Sequence, residues 1–261
     1  MGYGDEILSS GLARGMHARG KLAAFGDGRQ IVWSRWSEEV FRHNPNIAKP
    51  GDEGASDIEW IPFYKGNRGY HLGMTPTNWI YNMQFRPVPG QIFFDQHETE
   101  MARMFNSGFV LIEPNVPHHK TWAANKQWPA ERFQQVADGL QGVGYRVVQL
   151  IYKDARTVLR DVDHIHTKTF REALGILSRA ALFIGGEGGL HHGAAALGVP
   201  AVVLFGGYTP IELTGYPPLH VNLKGDSVTA CGSLRTCDHC IAAMDSIATK
   251  DVLHHALRLL K

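Results

Sequence analysis

The run Gly185-Gly186-Glu187-Gly188-Gly189 sets four glycines around one carboxylate, and Leu190-His191-His192-Gly193-Ala194-Ala195-Ala196-Leu197-Gly198-Val199-Pro200 follows directly. Glycines placed just after a strand let the backbone approach a ligand closely. The helix behind them aims free N–H groups and partial positive charge at it. Small residues at 193–196 let that helix sit close to a sheet. The spacing is not Gly-x-Gly-x-x-Gly and no P-loop lysine is present, so neither an NAD fingerprint nor a Walker motif is read. A tight connection with no ligand is the alternative.

Three further groups carry chemistry. In Asn125-Lys126-Gln127-Trp128-Pro129 a lysine stands immediately before a helix start, where its point charge adds to the helix dipole and suits a diphosphate. A solvated lysine is the bland reading. In Gly2-Tyr3-Gly4-Asp5-Glu6 the chain runs straight into Ile7, Leu8, Leu12 and Ala13 at helical spacing. Asp5 there is either an N-cap or a carboxylate kept ionised by the helix dipole. Cys231, Cys237 and Cys240, with His239 between the last two, have metal-like composition. A structural zinc site usually shows two paired spacings and four ligands. With a single Cys-x-x-Cys, reduced thiols are the expectation and a metal the alternative.

The elements that position these groups alternate from about residue 108 onward. Phe109–Ile112 reads as a buried strand between Gly108 and Pro114. Trp128-Pro129 opens a helix with Phe133, Val136, Ala137 and Leu140 on one face, and Gly142 and Gly144 stop it. Tyr145–Ile151, Ala181–Ile184 and Ala201–Phe205 read as strands. Thr169 and Glu172 form a capping box on the helix buried through Ala173, Leu174, Ile176 and Leu177. Alternation at this pace implies a parallel sheet covered on both faces, with ligands at the carboxyl ends of its strands. The first hundred residues read as a smaller, more irregular α/β unit, with strands at Gln30–Trp33 and Ile58–Phe63. A helix near Glu98–Phe105 leads out of it.

Bulk properties narrow the class. With 261 residues, 44% hydrophobic and 20% charged, the chain accommodates one large domain or two small ones. The net charge of +1 argues against nucleic acid or an anionic membrane bound by bulk charge. The 14 histidines fall partly in pairs at 118–119, 191–192 and 254–255, too scattered for one metal cluster. No apolar run reaches the ~18 residues of a membrane span, and no basic-then-apolar leader is read, so a cytoplasmic protein is expected.

The Gly185–Pro200 run resembles the Asp-x-Gly-x-x-His-x-x-Ala-Ala-Leu-Gly-x-Pro motif of the family 9 glycosyltransferases, the heptosyltransferases. In that register Glu187 takes the place of the family's Asp, and Gly189 and His192 match its Gly and His. Asn125–Phe133 resembles the family's Lys-x-Trp-Pro element, Gly2–Leu8 its Gly-Asp loop, and Asn44–Ile47 its Asn-Pro-x-Ile turn. Cys240–Ile247 resembles a Cys-Met-x-x-Ile run ahead of the last helix, a segment through which some protein heptosyltransferases bind a metal.

The resemblance implies a fold of two Rossmann-like domains (GT-B type). The expected acceptor side is 1–105, short and without the strand that should precede the Gly-Asp loop. The expected donor side is 106–261. It further implies Asp5 as general base, Lys126 and Asn115 at the diphosphate, and Glu187, Gly188, Gly189 and His192 around the donor sugar. Asp154 is placed at the ribose and 166–170 near the base. Two departures stand out. Glu187 is one methylene longer than the family's Asp. The segment Glu113-Pro114-Asn115 lacks the family's hydroxyls, for which His118, His119 and Lys120 are candidate substitutes. The implied function is transfer of a heptose-like sugar from a nucleoside diphosphate donor, ADP-heptose first, to a glycan such as lipopolysaccharide core. No cofactor or metal is expected, no nucleic acid, and membrane proximity only through the acceptor. The alternatives are a non-catalytic nucleotide-sugar binder and a transferase or epimerase using a UDP- or GDP-sugar.

Overall fold

A computed structural model describes residues 2–62, 69–117, 120–226 and 229–261. Phe63, His118 and His119, named above, lie outside the described residues.

The chain begins in helix α1 (Tyr3–Ser10), and two single 3-10 turns lead to strand β1 (Leu22–Gly26). Helix α2 (Arg35–Val40) follows, then strand β2 (Ile58–Pro62), which pairs parallel with β1. The expected strand at Gln30–Trp33 is not formed. Asp27 Oδ1 accepts from the amides of Arg29 and Gln30 at 2.9 and 2.8 Å, and Gly28 turns the chain at φ 90°. The strand therefore lies before this turn, and 30–33 returns with one isolated bridge, Ile31 to Gly26.

Strands β3 (His71–Met74) and β4 (Trp79–Tyr81) make an antiparallel hairpin. It is fastened to the cysteine segment by Trp79 N–H donating to Gly232 O (3.0 Å) and Asn78 Nδ2 donating to Cys231 O (2.7 Å). Helix α3 (Gln96–Arg103) starts two residues before the expected Glu98, because Asp95 caps it, accepting from the Glu98 amide at 2.7 Å.

The second half is a six-stranded parallel sheet. Its elements are β5 (Val110–Glu113), α4 (Ala130–Gly142), β6 (Val147–Ile151), β7 (Asp163–His166), α5 (Phe170–Leu177) and β8 (Leu182–Gly186). They continue through α6 (Gly189–Leu197), β9 (Ala201–Phe205), α7 (Ile211–Thr214), β10 (His220–Lys224), α8 (Asp238–Ser246) and α9 (Thr249–Leu259). The strand order is β10-β9-β8-β5-β6-β7. The two outermost strands were not expected from the sequence: Asp163-His164-Ile165-His166 and His220-Val221-Asn222-Leu223-Lys224 carry polar residues that break any apolar run, as sheet edges tend to. The capping box of α5 is half formed. Thr169 Oγ1 accepts from Glu172 N (3.1 Å), but the Glu172 carboxylate turns to Lys168 N (2.7 Å).

Alternation along the inner strands divides the core. Val110, Ile112, Leu182, Ile184, Val202 and Leu204 face α4 and α9. Leu111, Phe183, Val203 and Phe205 face the opposite way, toward α5 and α6, in a cluster that continues into Ile7, Phe25, Val40 and Phe41 of the first half. Each such fully buried side chain contributes ~1.5–3 kcal/mol.

One guanidinium ties that junction together. Arg171, on α5 and 5% exposed, donates through Nε and Nη2 to both oxygens of Glu98. It also donates to Glu39 O and Phe93 O, each at 2.6 Å. Burial works to raise the Glu98 carboxyl, but Arg171 outweighs it and holds the group below the usual range. The pair's stabilisation is therefore complete above the pKa of an unfolded glutamate and is lost as pH falls through the lowered value. Arg171→Ala leaves the Glu98 carboxylate with the Asp95 amide alone and takes the side-chain donor from two carbonyls. It is expected to lower the unfolding free energy by ~3–5 kcal/mol, read from urea unfolding at neutral pH; a loss under ~1 kcal/mol would show the contacts to be dispensable.

Candidate active site

The winding of the chain across the parallel sheet reverses between β5 and β8: it proceeds from β5 outward to β7 on one side and from β8 outward to β10 on the other. At such a switch point the loops leaving the two strands part and open a crevice at their carboxyl ends. A cleft of about 800 Å³ lies there. Asp5, Asn115, Lys126, Asp154, Glu187, Gly188, Gly189 and His192 all line it. These residues are scattered over the whole sequence and meet at one place.

Glu187 stands between β8 and the amino terminus of α6. Its side chain is 8% exposed and ion-paired with Lys126, itself 23% exposed. Burial pushes the Glu187 carboxyl upward, but Lys126 foremost, then His192, outweigh it and hold the group well below the ordinary carboxylate range. His192 bridges inward: its Nε2 lies 3.3 Å from Glu187 Oε1, and its Nδ1 lies 2.6 Å from the Tyr216 hydroxyl. Lys126 Nζ also sits 4.9 Å from the centre of the Tyr208 ring. The lysine closes a 3-10 segment, Thr121–Lys126. That segment is pinned by the buried Asn125, which donates to Arg235 O (2.8 Å) and accepts from Cys237 N (2.8 Å). The cation thus sits on a fixed base.

Helix α6 starts at Gly189, and α1 packs against that start. A Cβ on Gly4 would fall 2.8 Å from His192 Cδ2, so only glycine admits the approach. Tyr3 stacks on Phe170 at 4.0 Å beside it, and its hydroxyl donates to Glu39 Oε1 at 2.5 Å. Asp5 is not the N-cap of α1. Gly2 is, and Asp5 lies in the first turn with Oδ2 accepting from Gly2 N (2.8 Å) and Oδ1 from the Tyr70 hydroxyl (2.5 Å).

Two expected ligands are placed differently from the rest. Asn115 lines the cleft, yet its side chain is committed to the loop after β6: Oδ1 accepts from Arg156 N (2.9 Å) and Thr157 N (2.8 Å), and Nδ2 donates to Thr157 O (3.1 Å). It shapes the loop that carries Asp154 and has little left to offer a phosphate. Asp154 is exposed at the cleft rim.

The motifs did not single out Tyr70, Tyr208 or Tyr216, nor the hairpin aromatics His71, Trp79 and Tyr81, and they named Glu113 only as part of a segment without hydroxyls. Trp79 and Tyr81 are two apart, which puts both on one face of a strand. His71 stacks on Trp79 at 4.2 Å, and Tyr81 donates to Tyr208 O at 2.7 Å. That alternation was the available signal.

The cysteines do not line the cleft, but they converge. Cys231 Sγ lies 3.0 Å from Cys240 Sγ and 4.0 Å from Cys237 Sγ. With His239, all four donor atoms lie within 4.8 Å of one another. The amide of Cys240 lowers the Cys237 thiol, whereas burial raises that of Cys240. Three thiols and one imidazole are a donor set suited to zinc or iron.

Comparisons with known proteins bear on the family and the fold. The profile of glycosyltransferase family 9 (heptosyltransferase) matches residues 86–249. No curated protein matches the sequence. Among solved structures, the family 9 glycosyl transferase from Veillonella parvula DSM 2008 aligns at TM-score 0.64 and 15% identity, covering 100% of this chain and 95% of that one. The dodecameric iron-containing heptosyltransferase TibC, solved with ADP-D-beta-D-heptose, aligns at TM-score 0.61 and 16% identity, over 100% of this chain and 74% of that one. The chain spans about half, 53%, of E. coli ADP-heptose lps heptosyltransferase II, at 19% identity over 66% of its own length and TM-score 0.49. The fold is the two-part Rossmann-like GT-B type, and the chain belongs to glycosyltransferase family 9, the heptosyltransferase family.

Proposed function

We propose that this protein moves a heptose from ADP-heptose to a glycan acceptor such as lipopolysaccharide core. The observation that carries the reading is the meeting, in one cleft at the switch point, of the Lys126–Glu187 pair, the amino terminus of α6 and Asp5. The match of the fold to an enzyme solved with ADP-D-beta-D-heptose supports the choice of donor.

In this account the donor diphosphate competes with Glu187 for Lys126. The lysine and the amides at the start of α6 take the phosphate charge, and Glu187, still held by His192, turns to the sugar hydroxyls. An acceptor hydroxyl attacks the anomeric carbon as the bond from that carbon to the diphosphate oxygen breaks, its electron pair leaving with ADP. Asp5, oriented by Gly2 and Tyr70, takes the proton. Lys126 and the α6 amides bind the negative charge that grows on the departing diphosphate. No metal or other cofactor is assigned to this step. The boundary between acceptor and donor sides is placed at residues 105/106. No helix among the described residues is long and apolar enough to cross a membrane. We place the reaction in the cytoplasm, near a membrane only when the acceptor is.

A second assignment concerns the cysteine segment. The convergence of Cys231, Cys237, His239 and Cys240 fits a structural metal, and TibC is described as iron-containing. Bound there, a metal would brace the segment that holds Asn125, and through it the base of Lys126.

Incubation with ADP-heptose, UDP-glucose and GDP-mannose and an acceptor extract tests the proposal by the nucleoside diphosphate released. ADP is expected. Release of UDP or GDP alone overturns the donor, and tight binding with no transfer supports the non-catalytic alternative. Lys126→Ala is expected to weaken ADP-heptose binding tenfold or more, from loss of ~1.5–3 kcal/mol, by calorimetry. Unchanged affinity removes Lys126 from the diphosphate site. Asp5→Asn is expected to keep donor affinity while kcat falls by about 10²–10⁴; near-normal turnover would rule it out as the base. Elemental analysis of protein purified without chelator is expected to find near-stoichiometric zinc or iron that Cys240→Ser loses. Metal-free protein with an unchanged melting temperature after chelation would contradict the second assignment.

A further inference from the structure

Tyr216 stands in the link between α7 and β10, 3% exposed, and does not itself line the cleft. Its ring meets those of His192 and His220 edge-on, with centroids 5.6 and 5.7 Å away. Its hydroxyl lies 2.6 Å from His192 Nδ1, its one hydrogen-bond partner among the described residues. His191 packs beside it at 5.3 Å, but neither nitrogen of that buried ring has a hydrogen-bond partner among the described residues. Burial raises the Tyr216 hydroxyl, with the charge of Glu187 adding to the rise, so the phenol keeps its proton. The buried His192 turns its other nitrogen, Nε2, to Glu187 Oε1 at 3.3 Å. Lys126 holds Oε2 of the same carboxylate.

One arrangement of protons satisfies all of these buried groups. The phenolic hydrogen has a single acceptor in reach, His192 Nδ1, which must then carry no hydrogen of its own. The imidazole proton is therefore on Nε2 and is donated to Glu187. Moving it to Nδ1 would leave the phenolic hydrogen buried without an acceptor and set a bare Nε2 against a carboxylate oxygen. A doubly protonated ring strands the phenolic hydrogen in the same way. Each alternative leaves a buried polar group unpaired, which is the costlier state. An imidazole bonded at both nitrogens also cannot turn without breaking one of the two bonds.

We propose that Tyr216 is a positioning residue for recognition of the donor sugar. Its hydroxyl, donating to Nδ1, keeps the His192 proton on Nε2, and that N–H holds Oε1 of Glu187. When the diphosphate takes Lys126, Oε1 stays fastened and Oε2 is the oxygen presented to the sugar hydroxyls. Tyr216 touches neither part of the donor, yet it sets which face of the carboxylate the sugar meets. Its effect is therefore confined to the sugar and spares the nucleoside diphosphate. This inference rests on the nucleotide-sugar reading of the cleft.

Calorimetric titration of ADP and of ADP-heptose into the full chain and into Tyr216→Phe tests it, since phenylalanine keeps the ring and removes only the hydroxyl. The variant is expected to bind ADP within about twofold of the parent and ADP-heptose about tenfold more weakly. In a Glu187→Ala background the same substitution is expected to change the ratio of the two affinities by less than about twofold, because the group it acts through is gone. Equal weakening of both ligands reduces Tyr216 to a packing residue and overturns the proposal. An unchanged ratio in Tyr216→Phe overturns it too, as does a full effect that persists without Glu187. Nitrogen-15 NMR of the histidine-labelled parent, with His192 assigned by comparison with His192→Gln, is expected to show Nε2 protonated and Nδ1 bare. A proton on Nδ1 overturns the proposal, and this reading decides even if Tyr216→Phe folds poorly. Absence of binding of either ligand by folded parent protein overturns the nucleotide-sugar reading itself, and this inference with it.

Discussion

The two halves of the chain are tied together by Arg171, buried where they meet. Its guanidinium satisfies Glu98, Glu39 and Phe93 at once, from a helix whose first residue, Phe170, stacks on Tyr3. A charge buried this deeply is tolerable only with its hydrogen-bonding capacity used, and the fold uses it to fix α5 against α2 and α3. The start of α1, with Asp5, is then held over the start of α6 at a distance that only Gly4 permits. The relation between proposed base and proposed donor site therefore depends on a contact that lines neither.

Within the cleft the electrostatics are arranged in advance. Lys126 and Glu187 neutralise one another, and the carboxylate stays ionised at a depth where burial alone would protonate it. His192 and Tyr216 hold it from behind. In the proposed reaction an incoming diphosphate meets a cation already in place, and Glu187, released from Lys126, keeps His192 and gains the sugar hydroxyls as partners. Glu187 reaches both the lysine and His192, a span that favours the longer side chain over the family's Asp.

Much of this was legible in the sequence, and what was not has physical reasons. The inner strands β5, β6, β8 and β9 are apolar runs bounded by glycine or proline, so Val110–Glu113 and Ala201–Phe205 were found within a residue or so. Lys126 and Glu187 were legible because local motifs carry them. Edge strands β7 and β10 were not, since their polar residues interrupt any apolar run and read as loop. The strand before Asp27 was displaced onto the return arm after it, because the turn at Asp27-Gly28 depends on side-chain caps that composition does not reveal. Glu113, Tyr70 and Tyr216 were missed for another reason. Tyr70 and Tyr216 gain their partners only on folding, Asp5 65 residues away and His192 24 away, whereas Glu113 lies in a segment read for hydroxyls that it lacks. Asn115 errs the other way: it lies at the expected place with its side chain already spent on residues 156–157. The cysteines and His239 gave the donor types, and only folding showed that all four donor atoms converge.

The most direct test of the central claim is a crystal structure of the protein with ADP-heptose bound. The account predicts the diphosphate between Lys126 Nζ and the first amides of α6, with Glu187 released from the lysine and bonded to the sugar. A diphosphate bound elsewhere, with the Lys126–Glu187 pair intact, would contradict it.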